Sequence, residues 1–228
     1  MLPTPLEGIN DIDCIVSFSG GIESTALLQY LKDNNIKPIA LYSYYPLNRH
    51  RIQAATVPSH LEKICNLLDV QLVIHTHQDY GLGKSQYFYS TRHWILAMCN
   101  ASLRFPRQKN FYWGANSGLV EFNDGLGDCS IVDPTKYHVQ NIFETLQNIP
   151  RLVDGYHDKD SKNEDGSYKM HSDWKVKQTI SAPLIGWTKK QQWDYIREDI
   201  KDLVQSCIHY NNCGKCIKCE EFNLMINS

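Results

Sequence analysis

Residues 14–31 read Cys14-Ile15-Val16-Ser17-Phe18-Ser19-Gly20-Gly21-Ile22-Glu23-Ser24-Thr25-Ala26-Leu27-Leu28-Gln29-Tyr30-Leu31. An apolar run, Cys14 to Phe18, passes through Ser19-Gly20-Gly21 into a segment of helical character, so a buried strand delivers a tight glycine turn into a helix. Paired glycines can take positive φ and let backbone N–H groups converge. The helix start adds its unpaired donors and the positive end of its dipole. An anion is therefore expected at this turn, with Ser24 and Thr25 adding hydroxyls. It is not a Walker A loop, because no Gly-Lys-Ser/Thr closes it.

Outward from this turn the pattern repeats. Asp13 to Phe18 reads as the first strand and Ser24 to Lys32 as the first helix, ended by the polar turn Asp33-Asn34-Asn35. Pro38 to Ser43 is a second short apolar run bounded by turn residues. Leu61, Ile64, Cys65 and Leu68 recur at helical spacing, which predicts a helix from roughly Val57 to Leu68, and Gln71 to His75 makes a third strand. This alternation predicts right-handed βαβ units on a parallel sheet, an α/β fold.

Further helices are expected over Ser90 to Leu103, with Trp94, Ile95, Met98 and Cys99 on its apolar face, and after Asp133-Pro134, where Asp is the cap and Pro the first helical residue. Phe111 to Gly114 reads as a strand, leaving Ala115 to Asp133 as a long loop at its carboxyl end, where open α/β sheets bind ligands. Asp154 to Lys177 is a charged, weakly periodic excursion. Ile180 to Ile185 is strand-like, and Thr188 caps a helix carrying Trp193 and Ile196. Gly81-Leu82-Gly83-Lys84-Ser85 ends like a Walker A loop, but Gln78 stands where its first glycine belongs. It reads as a flexible loop over the site, with Lys84 within reach of phosphate.

The chain has 228 residues, 42% of them hydrophobic, enough for one large domain with an appendage. A net charge of −2 with both signs interspersed argues against a broad nucleic-acid footprint or a membrane surface. The N-terminal residues carry no secretory pattern and no stretch approaches a membrane span, so a cytoplasmic protein is expected. In that reducing compartment eight cysteines do not make a disulfide framework. Cys14, Cys65 and Cys99 lie among apolar residues and read as small core hydrophobes.

Cys207, Cys213, Cys216 and Cys219 place four thiols within thirteen positions. Four thiolates suit tetrahedral zinc and leave no open coordination position, which makes a closed structural site. Gly214-Lys215 supplies the turn that doubles the chain back. An iron–sulfur cluster is the competing reading, and His209 is a substitute for one thiol.

The loop resembles the pyrophosphate loop of PP-loop ATPases, Ser-Gly-Gly-x-Asp-Ser, with Glu23 at the Asp position. Together with the C-terminal Cys-x-x-Cys-x-x-Cys and a preceding Cys, it resembles the 7-cyano-7-deazaguanine synthase (QueC) family. Arg49-His50 is similar to that family's Gln-Arg-His, and Arg92-His93 to its Arg-Asn. Gly114-Ala115-Asn116 and Gly125-Leu126-Gly127-Asp128-Cys129 are similar to its Gly-x-Asn and Gly-Tyr-Pro-Asp-Cys. Pro183-Leu184 and Lys189 also find counterparts. The departures are Glu23, Ser130 in place of the Arg after Asp-Cys, and Glu220-Glu221-Phe222 where the family has an Arg. The first cysteine interval is short and residues 154–177 do not match.

The resemblance implies a PP-loop ATPase domain over 1–200 and a zinc-binding segment over 201–228. It places ATP on Ser19, Gly20, Gly21, Ile22, Glu23, Ser24, Thr25, Gly114 and Asn116, with Glu23 holding Mg²⁺ or else serving the helix dipole as a first-turn glutamate. Arg49, His50 and Arg92 are the candidates for phosphate charge or else solvated surface groups. Asp128 is an acceptor for a guanine-like N–H edge or else a turn aspartate. Cys129 is a candidate covalent nucleophile, which the family does not require, or else a buried thiol that is inert without a nearby base.

The implied activity is an AMP-forming ligase that adenylates 7-carboxy-7-deazaguanine and passes the acyl group to nitrogen. Ammonia as acceptor leads to the amide and nitrile. A protein amine gives a conjugate, as implicated for QueC-like enzymes of type IV CBASS anti-phage operons. A homodimer is also implied. Two other classes remain: a PP-loop enzyme modifying a tRNA base, and a non-catalytic zinc-ribbon interaction module on a degenerate nucleotide fold.

Overall fold

The computed structural model of the chain describes residues 12–44, 59–76, 98, 101, 105, 108–121, 124, 178–207 and 213–228. Within them the chain runs β1 (Cys14–Ser17), α1 (Ile22–Asp33), β2 (Pro38–Tyr44), α2 (Ser59–Leu67), β3 (Gln71–Thr76), β4 (Asn110–Trp113) and β5 (Thr179–Ser181). It ends with α3 (Lys189–Tyr195), α4 (Glu198–Lys201) and α5 (Ile217–Ile226). The five described strands form one sheet in the order β3-β2-β1-β4-β5, and every neighbouring pair is parallel. The expected α/β architecture on a parallel sheet is therefore present.

The strand order positions the glycine turn. From β1 the chain steps outward to β2 and β3, then returns to the other side of β1 for β4. That reversal opens a crevice outside the carboxyl ends of β1 and β4. Ser17 lies level with Trp113, so Ser19-Gly20-Gly21 after β1 and Gly114-Ala115-Asn116 after β4 leave the sheet side by side.

Alternation along the strands feeds two apolar layers. Cys14 and Val16 face a core shared with α1, Ile64 and Cys65 of α2, Leu184, Ile196 and Met225. Ile15, Ile39, Leu41, Phe111 and Ile180 face the opposite layer with Met98, Ala101 and Phe105. Cys14 and Cys65 are buried, and burial pushes both thiols up to about 12, as befits small core groups. α1 is buried along most of its length between the sheet and α3. Its Gln29 Nε2 donates to Tyr195 O at 2.9 Å while Oε1 accepts from Arg197 N at 3.0 Å, which fastens the end of α3 to α1. Thr188 and Gln191 close a capping box at the start of α3, as the Thr188 cap requires.

Several boundaries differ from expectation. α1 begins at Ile22, not Ser24, because extended Gly21 (φ −83, ψ 174) is its N-cap, and Glu23 and Ser24 are already in the helix. β5 stops at Ser181 rather than Ile185: Pro183 has no N–H for the ladder, and Ile185 N and Trp187 N turn back to Ala182 O and Leu184 O. α5 was not foreshadowed by the cysteine spacing, yet it carries fully buried Met225 into the β1 core. Met98 and Ala101 are helical as expected. The helix after Asp133, the 81–85 loop and the 154–177 excursion lie outside the described residues. Among the described residues no helix is long and apolar enough to cross a membrane.

Gly114 marks the tightest approach. A Cβ there would lie 2.5 Å from Glu23 C, 2.6 Å from Ser24 N and 2.7 Å from Glu23 O, all backbone atoms that cannot swing away. Gly114→Ala is expected to lower unfolding stability by about 3 kcal/mol in urea denaturation, because the overpacking falls on main chain. Gly186→Ala, where a Cβ meets nothing within 4 Å, serves as the neutral comparison.

Candidate functional site

Ser19, Gly20 and Gly21 carry the chain from β1 into α1. Gly20 has φ +75, and a Cβ there would lie 2.4 Å from Leu61 Cδ2 and 2.8 Å from His60 Nε2, so both conformation and space demand glycine. Gly21 keeps a negative φ, so only one of the pair uses left-handed freedom. Two hydroxyls brace the turn. Ser24 Oγ donates to Gly21 O at 3.3 Å and accepts from Ser19 N at 3.2 Å, while Ser19 Oγ accepts from Gly21 N at 3.4 Å.

The first bond into α1 runs from Thr25 N to Gly21 O at 3.0 Å, so the N–H groups of Ile22, Glu23 and Ser24 lack intrahelical acceptors. These amides and the dipole make the crevice attractive to an anion. The side chains contribute less than the pattern suggested. Ile22 faces the core and Thr25 is fully buried, its Oγ1 without a hydrogen-bond partner among the described residues.

Glu23 is the charged centre of the site. Its Oε1 meets Lys189 Nζ at 2.9 Å and accepts from Asn116 Nδ2 at 3.2 Å. Its Oε2 is 3.7 Å from the point where a Cβ of Gly21 would stand, so the second oxygen lies beside the glycine turn. Lys189 is only 2% exposed, and its Nζ also meets Glu221 Oε2 at 3.5 Å. Glu221 in turn receives Lys218 Nζ at 2.8 Å. Four charges of alternating sign thus link α1, α3 and α5.

Burial alone would raise Glu23, but the adjoining Lys189 ammonium reverses this and holds the carboxyl below its ordinary range. Burial would likewise lower Lys189, and Glu23 followed by Glu221 holds it above its ordinary range. Glu23's contribution to stability is complete above its ordinary 4.5 and is lost as pH falls through the lower folded value. Lys189's is complete below 10.5 and is lost as pH rises through the higher folded value. Both are intact across the neutral range.

The C-terminal segment touches the turn at a second point. Gln205 N donates to Gly20 O at 3.0 Å, so the chain passes over the glycine turn just before Cys207. Cys207, Cys213, Cys216 and Cys219 then gather with all four sulfurs within 4.8 Å of one another. The Cys213–Cys219, Cys216–Cys207 and Cys216–Cys219 separations are 4.0, 4.0 and 3.6 Å. A tetrahedron of sulfurs about 2.3 Å from zinc has edges of roughly 3.8 Å, so the cluster fits such an ion. Gly214 at φ +69 makes the turn between Cys213 and Cys216, and Cys216 is the N-cap of α5.

Of the residues singled out in sequence, the structure brings together the glycine turn, Glu23, Gly114 and Asn116, and separately the four cysteines. Arg49, His50, Arg92, Asp128 and Cys129 lie outside the described residues, as does His209. The sequence singles out both Asn116 and Lys189, but not their pairing with Glu23. Lys189 and Lys190 are adjacent and indistinguishable by type, yet Lys190 is a surface group 3.6 Å from Asp194.

No family model matches the chain, and the comparison with curated proteins returns no match. Among solved structures it is paired with an NMN synthetase from Francisella tularensis at 15% identity and a TM-score of 0.31, over 96% of this chain and 85% of that one.

Replacing Lys189 by Met leaves Glu23 without its cation, while Glu221 keeps Lys218, and is expected to cost about 3 kcal/mol in urea denaturation. Lys190→Met is expected to stay within about 0.5 kcal/mol. Elemental analysis of the purified protein is expected to find one tightly held zinc ion per chain. Its chelation is expected to lower the melting temperature, whereas a brown, iron-bearing protein would replace zinc by a cluster.

Proposed function

We propose that the chain is an AMP-forming, ATP-dependent ligase. The observation that carries this reading is the arrangement at the β1/β4 crevice: a glycine turn with helix amides that lack intrahelical acceptors, beside a carboxylate oriented by buried Lys189 and by Asn116. Ser19 to Thr25 would cradle the phosphates through backbone amides, with Gly114 permitting the close approach of β4. Glu23 presents Oε2 toward the turn. It suits a phosphate-bound Mg²⁺, which would offset negative charge on the leaving pyrophosphate.

In this reading a substrate carboxylate oxygen attacks the α-phosphorus of ATP, the α–β phosphoanhydride breaks, and pyrophosphate leaves. A nitrogen nucleophile then attacks the acyl carbon, the acyl–phosphate bond breaks, AMP leaves and the nitrogen sheds its proton. Positioning and electrostatic stabilisation are the protein's share. Arg49, His50 and Arg92 are proposed to meet phosphate charge, and Asp128 the N–H edge of the heterocycle.

The QueC resemblance makes 7-carboxy-7-deazaguanine the proposed acid. Ammonia leads to an amide, and a second ATP then adenylates the amide oxygen, which leaves with AMP as the nitrogen sheds its protons to give the nitrile; a protein amine stops at one amide. The departures at Glu23, Ser130 and Glu220-Glu221-Phe222 favour the protein acceptor, and with it a role in anti-phage defence. The four-cysteine centre has no open position and is assigned a structural role, in the same homodimeric cytoplasmic enzyme.

The test is isotopic exchange between pyrophosphate and ATP. Exchange is expected only with the deazaguanine carboxylate present, and Glu23→Ala is expected to reduce it by at least about a hundredfold. Exchange that instead requires tRNA would move the substrate to a nucleic-acid base, and none with any acid would leave a binding module. A mass increment on a co-expressed partner supports conjugation, and free nitrile formed from ammonia excludes it.

A further inference from the structure

α5 does more than close the cysteine centre. Its first turns, which carry Cys219 and follow Cys216, present Glu221 to the same Lys189 ammonium that meets Glu23. One buried ammonium is therefore divided between two carboxylates, at 2.9 Å from Glu23 Oε1 and 3.5 Å from Glu221 Oε2. Lys218 then competes for the same Glu221 oxygen at 2.8 Å. Ammonium and carboxylate charges so close together, and with Lys189 2% and Glu221 19% exposed, are weakly screened. The hold of Lys189 on Glu23 depends on the charge that Glu221 offers it.

We propose that Glu221 is a positioning residue: by sharing the Lys189 charge with Glu23 it leaves the Glu23 carboxylate less fully neutralised and better able to take the divalent cation that accompanies the nucleotide. This rests on the ligase reading of the site. It gives α5 a part in that reading, because the helix that closes the metal centre also sets how strongly the loop carboxylate is neutralised. The alternating order of charges fixes the sign of each effect. Without the Glu221 charge, Lys189 at Oε1 neutralises Glu23 more fully and a metal ion at Oε2 meets less negative charge. Without Lys218, Glu221 turns more fully to Lys189 and Glu23 is released.

The test uses the full chain and titrates Mn²⁺ with α,β-methylene ATP at fixed concentration, reading the loss of the free-ion paramagnetic resonance signal beyond that caused by the same nucleotide without protein. Glu221→Gln is expected to weaken Mn²⁺ binding about tenfold. Lys218→Met is expected to tighten it about twofold, a smaller effect because Lys218 is 44% exposed. A merely structural role for α5 shifts both variants the same way, and that result overturns the proposal. Lys218 stands at the surface, so its variant carries the sign even where Glu221→Gln does not fold: unchanged or weaker binding there also overturns it. If the unaltered chain binds no Mn²⁺ with the nucleotide analogue, the ligase reading falls and this inference with it. Opposed shifts support both.

Discussion

A single buried ammonium, Lys189, sits where three separate pieces of the chain meet. Its 2.9 Å contact with Glu23 joins α3 to the first turn of α1, and its contact with Glu221 joins both to α5. An ammonium so buried is tolerable only when paired, and a paired one left without its carboxylates becomes a strong penalty. The arrangement therefore specifies more than it stabilises. It requires the glycine turn, the β4 loop that supplies Asn116 and the cysteine-bearing helix to come together in one geometry.

The sheet makes that meeting place. Because β2 and β3 lie on one side of β1 and β4 and β5 on the other, the carboxyl ends of β1 and β4 face a shared crevice. Gly114 lets the β4 loop come against the backbone of Glu23 and Ser24, and Gly20 lets the turn pass His60 and Leu61. Asn116 can reach Glu23 only because of that contact. Gln205, bonded to Gly20 O, brings the C-terminal segment over the same turn. Local steric limits at two glycines thus become long-range geometry around one carboxylate.

The position of Glu23 illustrates how a departure in sequence acquires a physical meaning. A glutamate reaches one methylene further than the aspartate of the resembling pattern. Here the longer side chain places one oxygen on Lys189 and Asn116 and the other beside Gly21. The adjoining Lys189 ammonium outweighs burial and holds this carboxyl below its ordinary range. Glu23 stands in the first turn of α1, where the helix dipole acts, with its second oxygen beside Gly21.

Sequence alone determined the parallel α/β plan, the strand-turn-helix around Gly20, the capped start of α3 and the four-thiol cluster. Each rests on local rules: periodicity, turn chemistry, side-chain capping and ligand spacing within a short stretch. It overran β5, because an apolar run does not reveal where Pro183 ends the ladder, and it missed α5, whose burial through Met225 depends on the whole core. Only the tertiary structure decided that Lys189 rather than Lys190 is the buried cation, and that Glu221, 198 positions after Glu23, shares it. Charge selection of that kind is set by burial and distance between elements far apart in the chain, and neither quantity is a property of any local stretch of residues.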